Sequence, residues 1–200
     1  LVEQAEKFGF GQSPFHDLDD SLTRMAPSRM TAHAGDTIDA PQTALSAIGQ
    51  SNVAATPMQM AMVAAGIANG GTVMTPYLVD ELRSHDLEVI DKTTPKALTS
   101  NAVSAATARK LTDMMVAVVD NGTGTNARIA GIQVAGKTGT AQSAADRPPY
   151  AWFVAFAPAD NPSVAVAVLV ENAGVDRGEI SGNGLAAPIA RAVMEAVLNP

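Results

Sequence analysis

Five consecutive residues, Gly136, Lys137, Thr138, Gly139 and Thr140, have the types and spacing with the clearest chemical potential. Their neighbours predict a β-strand, whose two-residue period puts the hydroxyls of Thr138 and Thr140 on one face and the ammonium of Lys137 on the other. Gly139 leaves the backbone between the two threonines open to close approach. Two hydroxyl donors beside an open backbone suit a carboxylate ligand.

The same strand could act on a peptide in two further ways. An open edge could bind an extended peptide as an additional strand, and one of its amides could help to hold a developing oxyanion. Both properties are typical of acyl transfer. The alternative is an ordinary strand with a solvated lysine and threonines that favour β-structure. The string Lys-[Ser/Thr]-Gly-[Ser/Thr] arises by chance in roughly one chain of this size per hundred, so by itself it leaves both interpretations open.

Cofactor and metal patterns are weak. Residues 122–127 match the dinucleotide pattern G-x-G-x-x-A, but that pattern must follow a strand and open a helix, whereas here it follows a predicted helix and precedes a strand. His16, His33 and His85 lie far apart in the sequence, without a second ligand at helical spacing. We therefore expect no cofactor and no metal.

The run Ser84-His85-Asp86 contains the residue types of a catalytic triad. Nearest neighbours at the tip of a hairpin point in different directions, so they cannot form the contact between base and nucleophile. We expect a solvated turn.

Composition restricts the classes of function. The chain has 200 residues, 46% of them hydrophobic, which suits one compact globular unit. A net charge of −7 argues against a nucleic-acid partner, because such proteins need clustered Lys and Arg. The absence of cysteine excludes disulfides and thiolate chemistry. The apolar run 53–68 is shorter than the roughly 20 residues of a membrane span and predicts a buried helix.

A first long helix should begin at Thr56, since Thr56, Pro57 and Gln59 form a capping box with proline in the first turn. Gly70-Gly71 should end it. Its apolar stripe is formed by Met60, Val63, Ala64 and Ile67. The preceding residues 11–41 mix Gly, Pro, Ser and Asp and predict an irregular covering segment.

A small hairpin and a second helix should follow. The β-type runs 73–82 and 87–90, separated by a polar tip, predict an exposed hairpin. The helix should extend from Ser104 to Asp120. Its buried face is predicted to contain Leu111, Met114, Met115 and Val118.

Three strands and a last helix complete the predicted fold. The strands cover 132–142, 150–157 and 164–171, and their short links imply antiparallel neighbours. The helix covers 184–198 and should lie against this sheet. Its predicted packing face consists of Ile189, Val193 and Val197 beside Ala190 and Met194. We expect an α+β fold with an antiparallel sheet flanked by helices.

A loop and an aromatic pair near the sheet allow two further predictions. The loop 143–149 is short and predicts no large lid over the motif strand. Tyr150 and Trp152 could contact a substrate, but an aromatic pair on a central strand is more often core.

The order of several segments resembles the penicillin-binding proteins, in which a Lys-Thr-Gly string lies on a strand that lines the active-site groove. Besides residues 136–140, the resemblance rests on the segments 47–50, 55–61, 67–71, 120–125 and 151–158. It covers nearly all 200 residues, and within the family it is closest to the monofunctional class B group. The fold that it implies is the C-terminal portion of a β-lactamase/transpeptidase-like domain.

The resemblance implies a serine D,D-transpeptidase of peptidoglycan synthesis that also binds β-lactams. Lys137 would act electrostatically, Thr138 and Thr140 would bind the substrate carboxylate, and the amide of Thr140 would be an oxyanion donor. Gly136 and Gly139 would belong to the substrate-binding strand.

The Ser-x-x-Lys and Ser-x-Asn motifs of the family should precede Lys-Thr-Gly, and neither stands at that place here. Ser181-Gly182-Asn183 comes after it and predicts a turn that caps the last helix. Residues 93–96 cannot replace the Ser-x-x-Lys motif, because Pro95 would break the helix that has to align the nucleophile with its base. The chain opens at Leu1 inside an apolar helical repeat. We therefore expect residues 1–200 to be the C-terminal part of the domain, inactive alone, with the serine outside this chain.

Several functions and partners stay open. The alternatives are a D,D-carboxypeptidase or β-lactamase-type hydrolase, and a non-catalytic sensor or scaffold. Expected partners are peptidoglycan stem peptides, β-lactams, the remainder of the domain, and division or elongation proteins. The resemblance places the protein at the extracytoplasmic face of the bacterial membrane, through an N-terminal anchor that this chain lacks.

Overall fold

The fold is described from a computed structural model, which describes residues 1–15, 26–33, 35–142 and 147–199. His16, one of the three histidines considered as metal ligands, lies outside these residues. The helices are α1 (Val2–Glu6), α2 (Ala40–Ser46), α3 (Pro57–Ala68), α4 (Ala105–Asp120) and α5 (Ala187–Leu198). The strands are β1 (Val73–Met74), β2 (Glu81–Arg83), β3 (Val89–Lys92), β4 (Ala97–Thr99), β5 (Ala135–Ala141), β6 (Tyr150–Ala157) and β7 (Val164–Val170). No helix of the described ranges is both long and apolar enough to cross a membrane.

The main sheet has the order β5-β6-β7, with both pairs antiparallel. On one face, Phe156 and Ala135 pack against Ala64 of α3 and Met115 of α4. On the other face, Phe153 packs in a cluster with residues of α5, including Ala190 and Met194. The sheet is therefore the middle layer between two helical layers, which confirms the expected α+β fold with an antiparallel sheet.

Side-chain caps explain where the long helices begin. Thr56 accepts a hydrogen bond from the amide of Gln59 at 3.1 Å, and Pro57 occupies the first turn. Ser104 accepts one from the amide of Thr107 at 3.1 Å. Both start positions agree with the sequence prediction, because capping is a local property that the sequence displays directly.

The buried faces differ from the predictions at several positions. In α3 the fully buried side chains include Gln59 and Met62, which the predicted stripe omits. In α4 Met114 is exposed, and Ala108, Met115 and Val119 are the buried residues. The prediction for Met114 was wrong because α4 has apolar side chains on two neighbouring faces. Only packing against the rest of the fold decides which face is buried.

The last helix packs with only part of its predicted face, namely Ala190 and Met194. Ala187, Ala190 and Met194 are buried against the sheet. Ile189, Val193 and Val197 are exposed in this chain, by 47%, 43% and 51%. Ala187, Ala190 and Met194 therefore form the contact, and the β-branched residues do not.

The hairpin region also differs in detail. β2 and β3 form the predicted hairpin, with its tip between them. The predicted strand 73–82 is interrupted, since only β1 and β2 are strands, and β1 pairs with the unpredicted β4. Residues 75–80 contain a proline, Pro76, which cannot donate to a ladder.

Candidate active site

β5 carries the Lys-Thr-Gly string along one edge of the main sheet. Its residues pair with β6 in register, Lys137 with Val154 and Gly139 with Trp152. Within the described ranges β5 pairs with no second strand, so its other edge is open. Lys137 and Thr140 are exposed, and Thr138 is half-buried. The predicted strand is thus present, with an accessible edge.

The side chains of β5 alternate between the two faces of the sheet. Lys137 shares the face of Val154, which packs toward α3 and α4. Thr138 shares the opposite face with Phe153, which packs toward α5. Lysine and threonine therefore flank the edge from opposite sides.

The ammonium of Lys137 lies along its own strand. Its Nζ donates a hydrogen bond to the carbonyl oxygen of Thr138 at 2.6 Å. Among the described residues no carboxylate forms an ion pair with Lys137, and no serine hydroxyl is bonded to it. The charge is available to an anionic ligand at the edge.

Thr123 is a site residue that the sequence did not reveal. Its Oγ1 lies 2.8 Å from Oγ1 of Thr138. It belongs to a turn, residues 122–127, between α4 and β5. We call this segment the hydroxyl turn. The dinucleotide interpretation of these residues is excluded, because the turn follows a helix and leads to a strand.

The hydroxyl turn is held to the end of α4. The amide of Gly124 donates to the carbonyl of Val118 at 2.8 Å. Arg128 donates from Nε to the carbonyl of Val119 at 3.1 Å and from Nη2 to the carbonyl of Asp120. A cation at a helix C-terminus satisfies carbonyl groups that the helix leaves without partners. The sequence gave no sign of the contact between Thr123 and Thr138, because the two residues are 15 positions apart.

Gly182 supports β5 from the face of α5. A β-carbon built on Gly182 would overlap the carbonyl oxygen of Trp152 and lie 3.0 Å from that of Gly139. Only glycine permits this approach of one backbone to another. Ser181 accepts a hydrogen bond from the amide of Gly184 at 3.0 Å and caps a π-helical turn, Gly182–Ala186, before α5. The predicted capping turn at residues 181–183 is present, but Ser181 caps the π-helical turn, and α5 itself begins at Ala187 without a side-chain cap. We call residues 181–184 the supporting turn.

The two glycines of the string have different environments. Gly136 is buried, and a β-carbon there would lie 2.6 Å from Cζ of Phe153. Gly139 is half-buried, and its β-carbon would lie 3.1 Å from Cβ of Trp152. Gly136 therefore allows Phe153 to pack under the strand, whereas Gly139 keeps the strand narrow beside the tryptophan.

The aromatic pair on β6 is less buried than expected. Tyr150 and Trp152 are both half-buried, while their neighbours Ala151 and Phe153 are fully buried. The prediction that the pair is core was wrong. In this part of β6 the side chains of Ala151 and Phe153 are the fully buried ones, and Tyr150 and Trp152 point to the other face. Trp152 lies beside Gly139 on the face that Lys137 shares.

The remaining sequence candidates do not join the site. His85 and Asp86 are 91% and 74% exposed, and the hydroxyl of Ser84 accepts a hydrogen bond from the amide of Glu88, so the predicted solvated turn is confirmed. The described residues contain no cluster of three or more metal-ligating side chains. Residues 143–146 of the loop for which no lid was predicted lie outside the described residues.

The geometry suits a ligand with a terminal carboxylate and an extended backbone. An ammonium and two threonine hydroxyls lie within residues 137–140 on a strand edge that no second described strand pairs, and the hydroxyl of Thr123 lies beside them. Hydrogen bonds to a charged group are stronger than those between neutral groups, so the hydroxyls favour an anion. The described residues hold no serine and lysine pair in contact that could start acyl transfer.

Comparison with known proteins gives consistent likenesses. The family model of the penicillin binding protein transpeptidase domain matches residues 1–195. The peptidoglycan D,D-transpeptidase PbpA of Mycolicibacterium smegmatis is 51% identical over 167 residues, which are 82% of this chain and 33% of that protein. PbpA of Mycobacterium tuberculosis strain H37Rv is 46% identical over 183 residues, 90% of this chain and 37% of that protein. The chain thus spans about a third of the length of these relatives.

A solved structure is similar over the whole chain. The penicillin G acyl-enzyme complex of penicillin-binding protein A from M. tuberculosis has a TM-score of 0.82 and 44% identity. The likeness covers 99% of this chain and 42% of that chain.

Proposed function

The chain belongs to the penicillin-binding protein transpeptidase family, and on that premise we propose that it forms the C-terminal part of the catalytic domain of a peptidoglycan D,D-transpeptidase. The observation that carries the proposal is the open edge of β5, where Lys137 and Thr140 are exposed and the hydroxyls of Thr123 and Thr138 are in contact. This edge suits the terminal D-alanine of a stem peptide.

The reaction is an acyl transfer in two steps. A serine in a part of the protein outside these 200 residues attacks the carbonyl carbon of the penultimate D-alanine. The C–N bond to the terminal D-alanine breaks, that amine takes up a proton, and an ester to the serine forms. An amine of a second stem peptide then attacks the ester, which releases the serine and forms the cross-link.

Each residue of the edge has a role in this scheme. The hydroxyls of Thr138 and Thr140 donate hydrogen bonds to the carboxylate of the terminal D-alanine, and Lys137 stabilises the same negative charge. The amide of Thr140 is one donor to the oxyanion that forms during attack. The hydroxyl of Thr123, 2.8 Å from that of Thr138, orients it toward the carboxylate.

The same edge explains β-lactam binding, which we propose for this protein too. A β-lactam presents a carboxylate and a strained amide, so the serine opens the ring and keeps the acyl group. Peptidoglycan lies outside the cytoplasmic membrane, so we place the site there, with the anchor in a part of the protein beyond this chain. The direct partner of residues 1–200 is the remainder of their own domain; division or elongation proteins are further partners that we propose.

The role of Lys137 can be tested in the full-length protein with a fluorescent penicillin. Lys137→Ala should reduce the rate of labelling by about 100-fold or more, the range found when an electrostatic group of an acyl-transfer site is lost. Lys96→Ala, which removes an exposed lysine in the segment before β4, is the matched control and should label at the wild-type rate. Equal labelling of wild type and Lys137→Ala would refute the assignment.

Product analysis separates transfer from hydrolysis. With stem-peptide donor and an amine acceptor, the full-length protein should form a cross-linked dimer. Release of free D-alanine without dimer would instead identify a D,D-carboxypeptidase, and an opened lactam released without a stable adduct would identify a β-lactamase-type hydrolase. Binding of a β-lactam without turnover or acylation would favour the sensor or scaffold.

A further inference from the structure

We propose that Asn183 is a positioning residue for carboxylate recognition, and that it acts by fastening the hydroxyl turn (residues 122–127) to the supporting turn (residues 181–184). This inference rests on the proposed function, since it concerns how the same site holds its ligand. Asn183 does not lie on the strand edge. It acts through the two turns that flank the strand.

Two hydrogen bonds of ordinary length and a longer one join the two turns. The backbone amide of Asn126 donates to Oδ1 of Asn183 at 2.9 Å. In return, Nδ2 of Asn126 donates to the carbonyl oxygen of Asn183 at 3.0 Å. A longer contact, 3.5 Å, joins Nδ2 of Asn183 to Oγ1 of Thr125. The pair joins residues that are 57 positions apart, so it is a tertiary contact and not part of either turn alone.

The two fastened turns hold neighbouring residues of β5. The hydroxyl turn places Thr123 against the hydroxyl of Thr138. The supporting turn places Gly182 against the backbone of Gly139. A shift of one turn relative to the other would therefore move a threonine hydroxyl relative to the strand backbone on which the oxyanion donor lies.

The hydroxyl turn needs such a tether on its exposed side. It contains Gly122 and Gly124, and glycine adds backbone freedom that folding must restrict. Hydrogen bonds from Gly124 and from Arg128, the residue that follows the turn, hold it to the end of α4. Asn126 is exposed, and its amide and side chain both reach Asn183. Since small misplacements of a binding group reduce rates strongly, the tether affects catalysis even though it touches no ligand.

A merely structural role predicts a different pattern from a positioning role. If the pair only secured the start of α5, its loss would reduce every activity of the protein to the same extent. If it aligns Thr123 and Thr138, the loss should be greater for a ligand with a free carboxylate. Penicillin G and its methyl ester differ in this group and share the reactive lactam.

The experiment measures acylation of the full-length protein by these two compounds. Asn183→Ala removes the Oδ1 acceptor and should reduce the rate constant for penicillin G by about fivefold, as expected for one lost hydrogen bond. The methyl ester should lose less than about twofold. Asn199→Ala, at the other end of α5, is the control and should leave both rates unchanged.

A double variant tests the connection with Thr123. Thr123→Val keeps the shape of the side chain without its hydroxyl. If Asn183 acts through Thr123, adding Asn183→Ala to Thr123→Val should cause little further loss of the preference for penicillin G over its ester. If the two residues act independently, the losses of preference caused by the two single variants should multiply in the double variant.

Several results would overturn the inference. They are an unchanged rate for penicillin G, an equal loss for both compounds, or multiplied effects in the double variant. Should Asn183→Ala not fold, Asn126→Ala removes the second hydrogen bond from the exposed side, and the same selective loss is expected. A wild-type protein that neither compound acylates would disprove the proposed function itself, which separates the two failures.

Discussion

At the scale of single residues, Thr138 connects the charged and the neutral parts of the candidate site. Its carbonyl oxygen accepts a hydrogen bond from Lys137, and its hydroxyl contacts Thr123. A hydroxyl that already has one partner has a restricted orientation, so less freedom is lost when a ligand binds. Preorganisation of this kind is a main source of binding energy in transition states.

Thr123→Val should therefore weaken the site without disturbing the fold. In the full-length protein we expect the acylation rate with penicillin G to fall by about three- to tenfold, the effect of one hydrogen bond between uncharged groups. Thr123→Ser keeps the hydroxyl and should stay within about twofold of wild type. Stopped-flow acylation measures both.

Thermal denaturation serves as the control for this pair. If Thr123→Val acylates normally, or if Thr123→Ser is as slow as the valine variant, the hydroxyl does not orient Thr138. A large drop in the melting temperature of the valine variant alone would point to packing instead.

The residues of the site were predictable from the sequence only where they are contiguous. Lys137, Thr138 and Thr140 stand within four positions, so strand geometry alone relates them. Thr123 and Asn183 come from distant turns, and no local pattern indicates which side chains two turns bring together. The sequence did predict that residues 181–183 form a capping turn, but not that its glycine presses on the strand.

At the scale of elements, local signals predicted the starts of α3 and α4, the three strands of the main sheet and their antiparallel order. The faces were harder to predict, as α5 demonstrates. It has one apolar face that contains Ala190 and Met194 and a second that contains Ile189, Val193 and Val197. Hydrophobic periodicity cannot rank two adjacent apolar stripes, and packing against the sheet buries the one that contains Ala190 and Met194.

The exposed stripe of α5 agrees with the proposal that the chain is part of a larger domain. Three large apolar side chains on one exposed helix face are unfavourable in water, and they should be covered in the full-length protein. Val193→Cys should then react with a maleimide at least about tenfold more slowly than Arg191→Cys on the same helix, because reaction would require local opening.

The chain contains no cysteine, so this comparison needs no removal of native thiols from residues 1–200. In denaturant both variants should react at the same rate, which controls for intrinsic reactivity. Equal rates in the native full-length protein would show that the stripe stays open, and would contradict the covering.

At the scale of the whole molecule, the described residues form a layered fold whose sheet ends in two unpaired edges. The outer edge of β5 is the candidate binding edge. β7 is a run of seven apolar residues, all half-buried, and within the described ranges no strand pairs with its outer edge. An apolar edge strand is a site for further strand pairing. Both edges fit a domain of which these 200 residues are a part.

The isolated 200-residue chain should consequently form no covalent adduct with penicillin G. The described residues supply the carboxylate-binding edge but hold no serine bonded to a lysine, so no nucleophile is activated there. Intact-mass spectrometry after incubation should show the unmodified mass, whereas the full-length protein should gain the mass of one penicillin. The isolated chain should also unfold at a lower temperature, since domains are only marginally stable and its sheet edge and helix face lack cover. An acylated serine within residues 1–200 of the isolated chain would show that the nucleophile lies in this part, and the proposed division of the catalytic domain would be wrong.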